Sequence, residues 1–318
     1  METKPYVNAT VLIFDGKLHA RKQTRSILNI LGFWKIEESE THEDARIALG
    51  SRRFDLAIFS VVSKKDGVSE LVNDVRRFRC GDDPFLPIIL TSWDVRLRLV
   101  RSIVESGADD FLAHPYSATN LGDRINALVR NRKPFVVTED YFGPDRRTLE
   151  ARANDAGTVM VPNALLARAE GLPDSGPNAD TIAATLGKLR KVKVRNIARR
   201  IWAITDVLYK AYDDPSLADW IDQELEQVVK SGRAFHEAIS PRELVQLGSL
   251  CDSVIKVARR IQGQRPALKD LELLEQSALA IRVAAQLGGD SAVAASEISN
   301  AVAGTAKSTE DLVKSVVG

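Results

Sequence analysis

The stretch Phe54–Ser60, FDLAIFS, sets the strongest constraint on what this chain folds into. Asp55 leads into consecutive apolar residues, Leu56 to Phe59, and the run stops at the small hydroxyl of Ser60. An apolar run without alternation reads as a strand buried on both faces, as in a parallel sheet covered by helices on each side. In open α/β sheets, ligands and chemistry sit just past the carboxyl ends of such strands. Position 60 therefore decides what this domain can do, and it is a serine.

The elements around it follow in order. The run TVLIF at 10–14 ends at Asp15-Gly16. Lys17–Leu31 reads as a helix, with Ala20, Ile27, Leu28 and Leu31 on one face and Gly32 as its stop. Phe33–Ile36 is the predicted second strand, and Thr41–Leu49 a short helix ended by Gly50. Past the turn Asp66-Gly67, Val68–Phe78 places Leu71, Val72, Val75 and Phe78 inward. Ile88–Thr91 is a fourth strand, ending at Ser92. Asp94–Glu105 is a helix with Leu97, Val100, Ile103 and Val104 inward. Phe111–Ala113 is a fifth strand, ending at His114-Pro115. Ser117 caps a last helix whose inner face is Leu121, Ile125, Leu128 and Val129. Five strand–helix units with short loops predict a parallel, doubly wound α/β sheet in the flavodoxin-like order 2-1-3-4-5.

The runs VLIFDG, DLAIFS with its following DG, LPIILTSW and SGADDFLAHPY, in this order across residues 9–131, resemble the receiver domain of bacterial response regulators, the CheY-like family. The resemblance implies a first strand ending in two magnesium-holding acids and a third ending in a phosphoryl-accepting aspartate. It implies a hydroxyl residue at the end of the fourth strand, and a lysine before a cis-proline at the end of the fifth. Here the acidic pair falls on Asp15 and Gly16, and the acceptor on Ser60. The hydroxyl falls on Ser92, with Thr91 beside it, and the lysine on His114, followed by Pro115. The loop from Ser60 to Asp66 is one residue shorter than the family pattern.

Those departures have a physical cost. Magnesium binds through carboxylates and phosphate oxygens in near-octahedral geometry, and only Asp15 remains of the implied acids. Phosphoryl transfer depends on charge neutralisation around the transferred group, and a neutral serine is a poor acceptor without a base. The permanent cation gives way to a mostly neutral imidazole. The expectation is a pseudo-receiver with magnesium binding weak or lost, no other metal or cofactor, and no enzymatic activity. Ser60 and His114 are expected to hydrogen-bond to each other or to water and plug the old site. A hydrolase built on that pair lacks an orienting carboxylate and an oxyanion hole in the sequence. Family members dock partners through the fourth helix, fifth strand and fifth helix, a face that here carries Arg96, Arg98, Arg101, Arg124 and Arg130 and suits an acidic protein.

Pro134 marks the end of the last receiver helix. Asp140–Arg147, DYFGPDRR, resembles a signature that follows receivers in alphaproteobacteria, and VPN at 161–163 fits the same pattern. It implies a bacterial signalling context and no chemistry. Gly143-Pro144-Asp145 is a turn, Tyr141 and Phe142 are candidate anchors, and Arg146-Arg147 suit structural ion pairs. Residues 170–180 read as an exposed connection. The expected division is a receiver at 1–133, a linker at 134–180, and an all-α helical bundle at 181–318.

In that last part strand signals vanish. Apolar stripes run from Leu186 to Leu208, Leu217 to Val229, Leu244 to Val257 and Leu271 to Ala285, with an Ala/Ser/Val-rich helix predicted after Asp290. Ser240-Pro241-Arg242-Glu243 is a capping box. Short breaks between helices imply an antiparallel bundle that serves as an output or homodimerisation module. Two features compete with that reading. Lys188–Arg200 holds seven basic residues and no acid, which offers a nucleic-acid or acidic-partner face. His236 suggests a histidine-phosphotransfer component, but Ile239-Ser240 stand where Lys-Gly is implied. A net charge of +1 gives no global case for nucleic acid or membrane. With two distant cysteines, no signal peptide and no apolar run of membrane length, the expected location is cytoplasmic. The expected partner is another signalling protein: a histidine kinase, a phosphotransfer protein or a further regulator.

Overall fold

The structure, a computed structural model, describes residues 6–63, 65–147, 157–172, 176–211, 217–240, 247–263 and 266–287. The chain divides into two compact units, Met1–Leu189 and Arg190–Gly318.

In the first unit, strands β1 (Thr10–Phe14), β2 (Lys35–Ser39), β3 (Leu56–Ser60), β4 (Ile88–Ser92) and β5 (Asp110–Ala113) form a sheet in the order β2-β1-β3-β4-β5. All pairings are parallel. Strands β3 and β4 are buried at every position, as expected at the centre of a helix-covered sheet. Helices α1 (Leu18–Leu31), α2 (His42–Ser51), α3 (Val68–Arg76), α4 (Leu97–Glu105) and α5 (Ala118–Arg130) connect the strands. Side chains alternate across each strand. Leu12, Ala57, Phe59, Ile88 and Leu90 pack with α2, α3 and Ile103 of α4. Val11, Ile13, Leu56, Ile58 and Ile89 pack with α1 and α5.

Two predicted elements shift. The second strand lies at Lys35–Ser39, not Phe33–Ile36. Gly32 ends α1 in the left-handed conformation, and Phe33 then folds back into the core, stacked on Tyr6 at 4.5 Å. Helix α3 stops at Arg76, and Phe78, expected inward, sits at φ 61° and is exposed.

The stretch expected as a linker is folded. Strands β6 (Phe135–Val137) and β7 (Phe142–Pro144) pair antiparallel, and α6 (Ala164–Ala169) follows. All three pack at the amino-terminal base of the sheet. Phe135 and Phe142 pack on each other and on Phe85, and Leu165 joins the core beside α5. Asn163 caps α6 through Leu166 N–H and donates to the Leu128 carbonyl near the end of α5. Arg147 pairs with the fully buried Asp145, and Arg146 donates to the Ala108 carbonyl at 2.5 Å. The arginines of GPDRR therefore serve the fold.

Helices α7 (Ala179–Lys210), α8 (Ala218–Ala238), α9 (Ser249–Ile261) and α10 (Leu268–Leu287) follow. Residues of the predicted stripes form one core in the second unit, including Ile197, Ile201, Leu225, Val254, Leu274 and Ile281; Leu244 lies outside the described residues. Residues Pro241–Glu243 of the predicted capping box, and the helix predicted after Asp290, lie outside the described residues. No described helix is long and apolar enough to cross a membrane.

Candidate functional site at the carboxyl edge of the sheet

The last residues of β3 and β4, Ser60 and Ser92, and the loops after β1 and β5, with Asp15 and His114, come to one end of the sheet, as predicted. Parallel pairing sets Ser60 beside Thr91 and Ser92 beside Ala113, so the strand ends are in step. Ser60 is buried at 4% exposure, and Ser92 fully. Ser92 Oγ donates to the Val61 carbonyl at 2.6 Å and accepts from Asp94 N–H. That contact ties the β3 and β4 loops together. Asp94 then accepts from Arg96 N–H, so α4 begins at Leu97 rather than at Asp94.

The histidine does not bond to Ser60 directly. Neither ring nitrogen of His114 has a hydrogen-bond partner, so the expected Ser60–His114 hydrogen bond is not formed. The ring is instead stacked face to face on Trp93 at 4.7 Å and tilted against Tyr116 at 4.6 Å. Lys17 Nζ lies over the Trp93 ring at 5.5 Å, a cation–π distance. At the inner end the Tyr116 hydroxyl shares a hydrogen bond of 2.7 Å with Thr24 of α1. Lys17, Trp93, His114, Tyr116 and Thr24 thus form a column from the surface into the core. The peptide between His114 and Pro115 is cis.

A magnesium ion finds few donors here. Asp15 is buried, and its Oδ1 already accepts from Lys17 N–H at 2.8 Å. Gly16 has no side chain, and Ser60 is neutral. The Asp66 carboxylate is held by the N–H groups of Val62, Ser63 and Val68. These residues do not fit a site that needs several free carboxylate oxygens. No group of three or more His, Cys, Asp or Glu placed to hold a metal occurs among the described residues.

Burial pushes the His114 imidazole below its ordinary value of 6.5, Asp15 pulls it up and Lys17 pushes it down. The unfolded chain therefore binds this proton more readily than the folded one. Stability that His114 supports is present above about pH 6.5 and is lost as pH falls below it. His114→Phe keeps a stacking ring and removes the titration. We expect the urea midpoint of the variant to gain on that of the unmodified protein between about pH 7.5 and pH 5. A constant difference across that range would contradict it.

The other candidates lie elsewhere. Arg96 is paired with Asp94, and Arg124 with Asp110 at 3.5 Å; Arg101 and Arg130 are exposed. The side chain of Arg98 lies outside the described residues. His236 is not a free surface histidine: its Nε2 meets Asp252 at 3.0 Å, linking α8 to α9. Within the basic run, Arg190 donates to the Ala238 and Ile239 carbonyls and so caps the end of α8.

Sequence reasoning missed Trp93, Tyr116 and Lys17. Their one signal was position, each within two residues of a strand-end residue already singled out.

With this sheet order, the first unit is similar to the receiver domains of response regulators, the CheY-like type. No family model matches the chain. The response regulator MprA of Mycobacterium bovis is 28% identical over 134 residues, which are 42% of this chain and 56% of that protein. MprA of Mycobacterium tuberculosis matches at the same identity and length. The chain thus spans little more than half the length of the curated relatives it matches. Among solved structures, a CheY-like receiver of Methanospirillum hungatei is 21% identical, with 37% of this chain and 90% of that one covered and a TM-score of 0.33. A signal receiver domain of Clostridium thermocellum is 19% identical, with 39% and 98% covered and a TM-score of 0.34.

Proposed function

We propose that this chain is a component of two-component signal transduction in the cytoplasm, without enzymatic activity of its own. Its receiver takes up no phosphoryl group and works by protein contact with a histidine kinase, a phosphotransfer protein or another regulator. The helical unit is the output or dimerisation module. The curated relatives are named response regulators, which supports the signalling context.

One observation carries the loss of phosphorylation. The acceptor position holds the neutral, buried Ser60, and the position of the permanent cation holds His114, fixed between Trp93 and Tyr116 with no free charge to offer. Neither the acceptor carboxylate nor the permanent cation of the family pattern stands at its own position.

The test is incubation of the full chain with radiolabelled acetyl phosphate and magnesium. We expect no incorporated label. A hydroxylamine-labile acyl phosphate, or a hydroxylamine-stable ester at Ser60, would each end this reading. Beryllofluoride and magnesium bound beside residue 60 in a soaked crystal would do the same.

A further inference from the structure

At the amino-terminal base of the sheet, away from the strand ends described above, the segment after the receiver encloses a cavity within the first unit. We propose that this cavity binds a free α-amino acid with a small aliphatic side chain. Its ammonium group would sit on Asp83 and its carboxylate on Arg53 and Arg168.

The cavity holds about 320 Å³, near the small end of the range of about 300–1,000 Å³ usual for ligand pockets. One wall is Arg53-Phe54-Asp55, the residues leading into β3, together with Asp83 ahead of β4. The other comes from Ala164 and Arg168 of α6 and from the chain entering α7. Arg53 ties the two walls together, donating to the Pro177 carbonyl at 2.9 Å.

Four charges line the cavity, two of each sign, and they are not equally spent. Asp55 is fully engaged. Its Oδ1 accepts from Arg168 Nε at 3.1 Å, and its Oδ2 from the N–H and hydroxyl of Thr10 at 2.7 and 2.9 Å. Asp83 is only 9% exposed, yet just one of its oxygens is used, by Phe85 N–H at 2.8 Å. The other accepts nothing among the described residues. Burial pushes this carboxyl above its ordinary value; the Phe85 N–H, Arg132, Arg76 and Arg53 pull it down. The three arginines act through charge alone, with no hydrogen bond to Asp83, and Arg76 and Arg132 are bonded to Asp109. Arg53 and Arg168 each give one nitrogen to a protein acceptor and keep further N–H groups that meet none among the described residues.

These leftovers select the ligand. A simple anion would face the open oxygen of Asp83, and a simple cation would face Arg53 and Arg168. A zwitterion satisfies both ends. Its ammonium supplies the donors that a buried carboxylate lacks, and its carboxylate matches the guanidinium fork. Phe54, Ala164 and Pro177 add apolar surface to the same cavity, which suits an aliphatic side chain.

The test titrates the full chain with each of the protein amino acids at millimolar concentration, read by thermal midpoint and calorimetry. We expect alanine, valine or leucine to raise the midpoint with saturable one-to-one binding. For valine, isovalerate, which lacks the ammonium, and isobutylamine, which lacks the carboxylate, should each bind about tenfold or more weakly. Arg53→Gln and Asp83→Asn should weaken binding by a similar factor. Arg53 is exposed, so its variant keeps the fold, and with the two analogues it decides the matter even if Asp83→Asn does not fold. No binding of any aliphatic amino acid would overturn the proposal. So would analogues as tight as the parent, or unchanged binding to Arg53→Gln. Inorganic phosphate raising the midpoint in place of the amino acids would mark an anion site and overturn it too. None of these readouts involves phosphoryl transfer or a partner protein, so the outcome is independent of the signalling reading.

Discussion

Replacing Asp109 by alanine is expected to unfold the receiver, or to leave it about 3–5 kcal/mol less stable in urea denaturation. Asp109 precedes β5, and its side chain is 1% exposed. Its Oδ2 accepts from Arg76 Nη2 and Ile88 N–H at 2.8 and 2.9 Å, and its Oδ1 from Arg132 Nε at 2.8 Å. Arg76 is buried as completely and also donates to the carbonyls of Gly107, Pro84 and Leu86. Both guanidiniums lie over Phe135, at 5.3 and 5.1 Å. One carboxylate thus balances two buried cations and joins α3, β4, β5 and the chain leading into β6. Burial lowers the pKa of Arg76 and Asp109 opposes that effect. Without Asp109, two guanidiniums stay buried without the carboxylate bonded to both, with only Asp83 left nearby, a far larger penalty than the lost hydrogen bonds alone. Asp94→Ala is the contrasting case, since that carboxylate pairs with Arg96 in water. It should leave the urea midpoint where it is. An unchanged midpoint for Asp109→Ala as well would show that water enters the network.

Why the sequence hid this network is a matter of range. The central strands were legible because burial on both faces leaves an unbroken apolar run, as in LAIFS and in the IIL of β4. Edge strand β2, KIEES, has no such run, because its outer positions meet water. The prediction drifted to Phe33, which is apolar for another reason. Arg76 lies four residues after Val72, on the inward stripe of α3, so its position pointed to the core while its charge argued against it. Only a partner 33 residues away decides such a case. The same holds at the top of the sheet. The identities of Ser60 and His114 could be read from the chain, but the stacking of His114 on Trp93 and Tyr116 is set by how two loops meet. A residue-by-residue carry-over from the family names positions and is silent about what now fills the space between them.

A fragment ending at Lys133, the boundary the sequence suggested, is expected not to fold cooperatively, whereas one ending at Leu172 is. The segment after 133 supplies Phe135, Val136, Val137 and Leu165, each buried to 6% exposure or less. Burying a side chain of that size contributes about 1.5–3 kcal/mol. The sum is an upper estimate, because the unfolded chain is already partly compact. Even so it rivals the whole stability of an ordinary domain, about 5–15 kcal/mol. The loss is also uneven. Removing Phe135 uncovers Arg76, Arg132 and Phe85 together, and Arg132 loses its contact to the Pro162 carbonyl. Gly107 shows how closely the segment is fitted, since a Cβ there would stand 2.4 Å from the Phe142 carbonyl oxygen. Sharp thermal melts and dispersed amide spectra should therefore appear for the longer fragment alone. If the shorter one melted as sharply and at the same temperature, the hairpin and α6 would be passengers on a receiver complete at 133. The buried Asp109 network would then have to close without Phe135 above it.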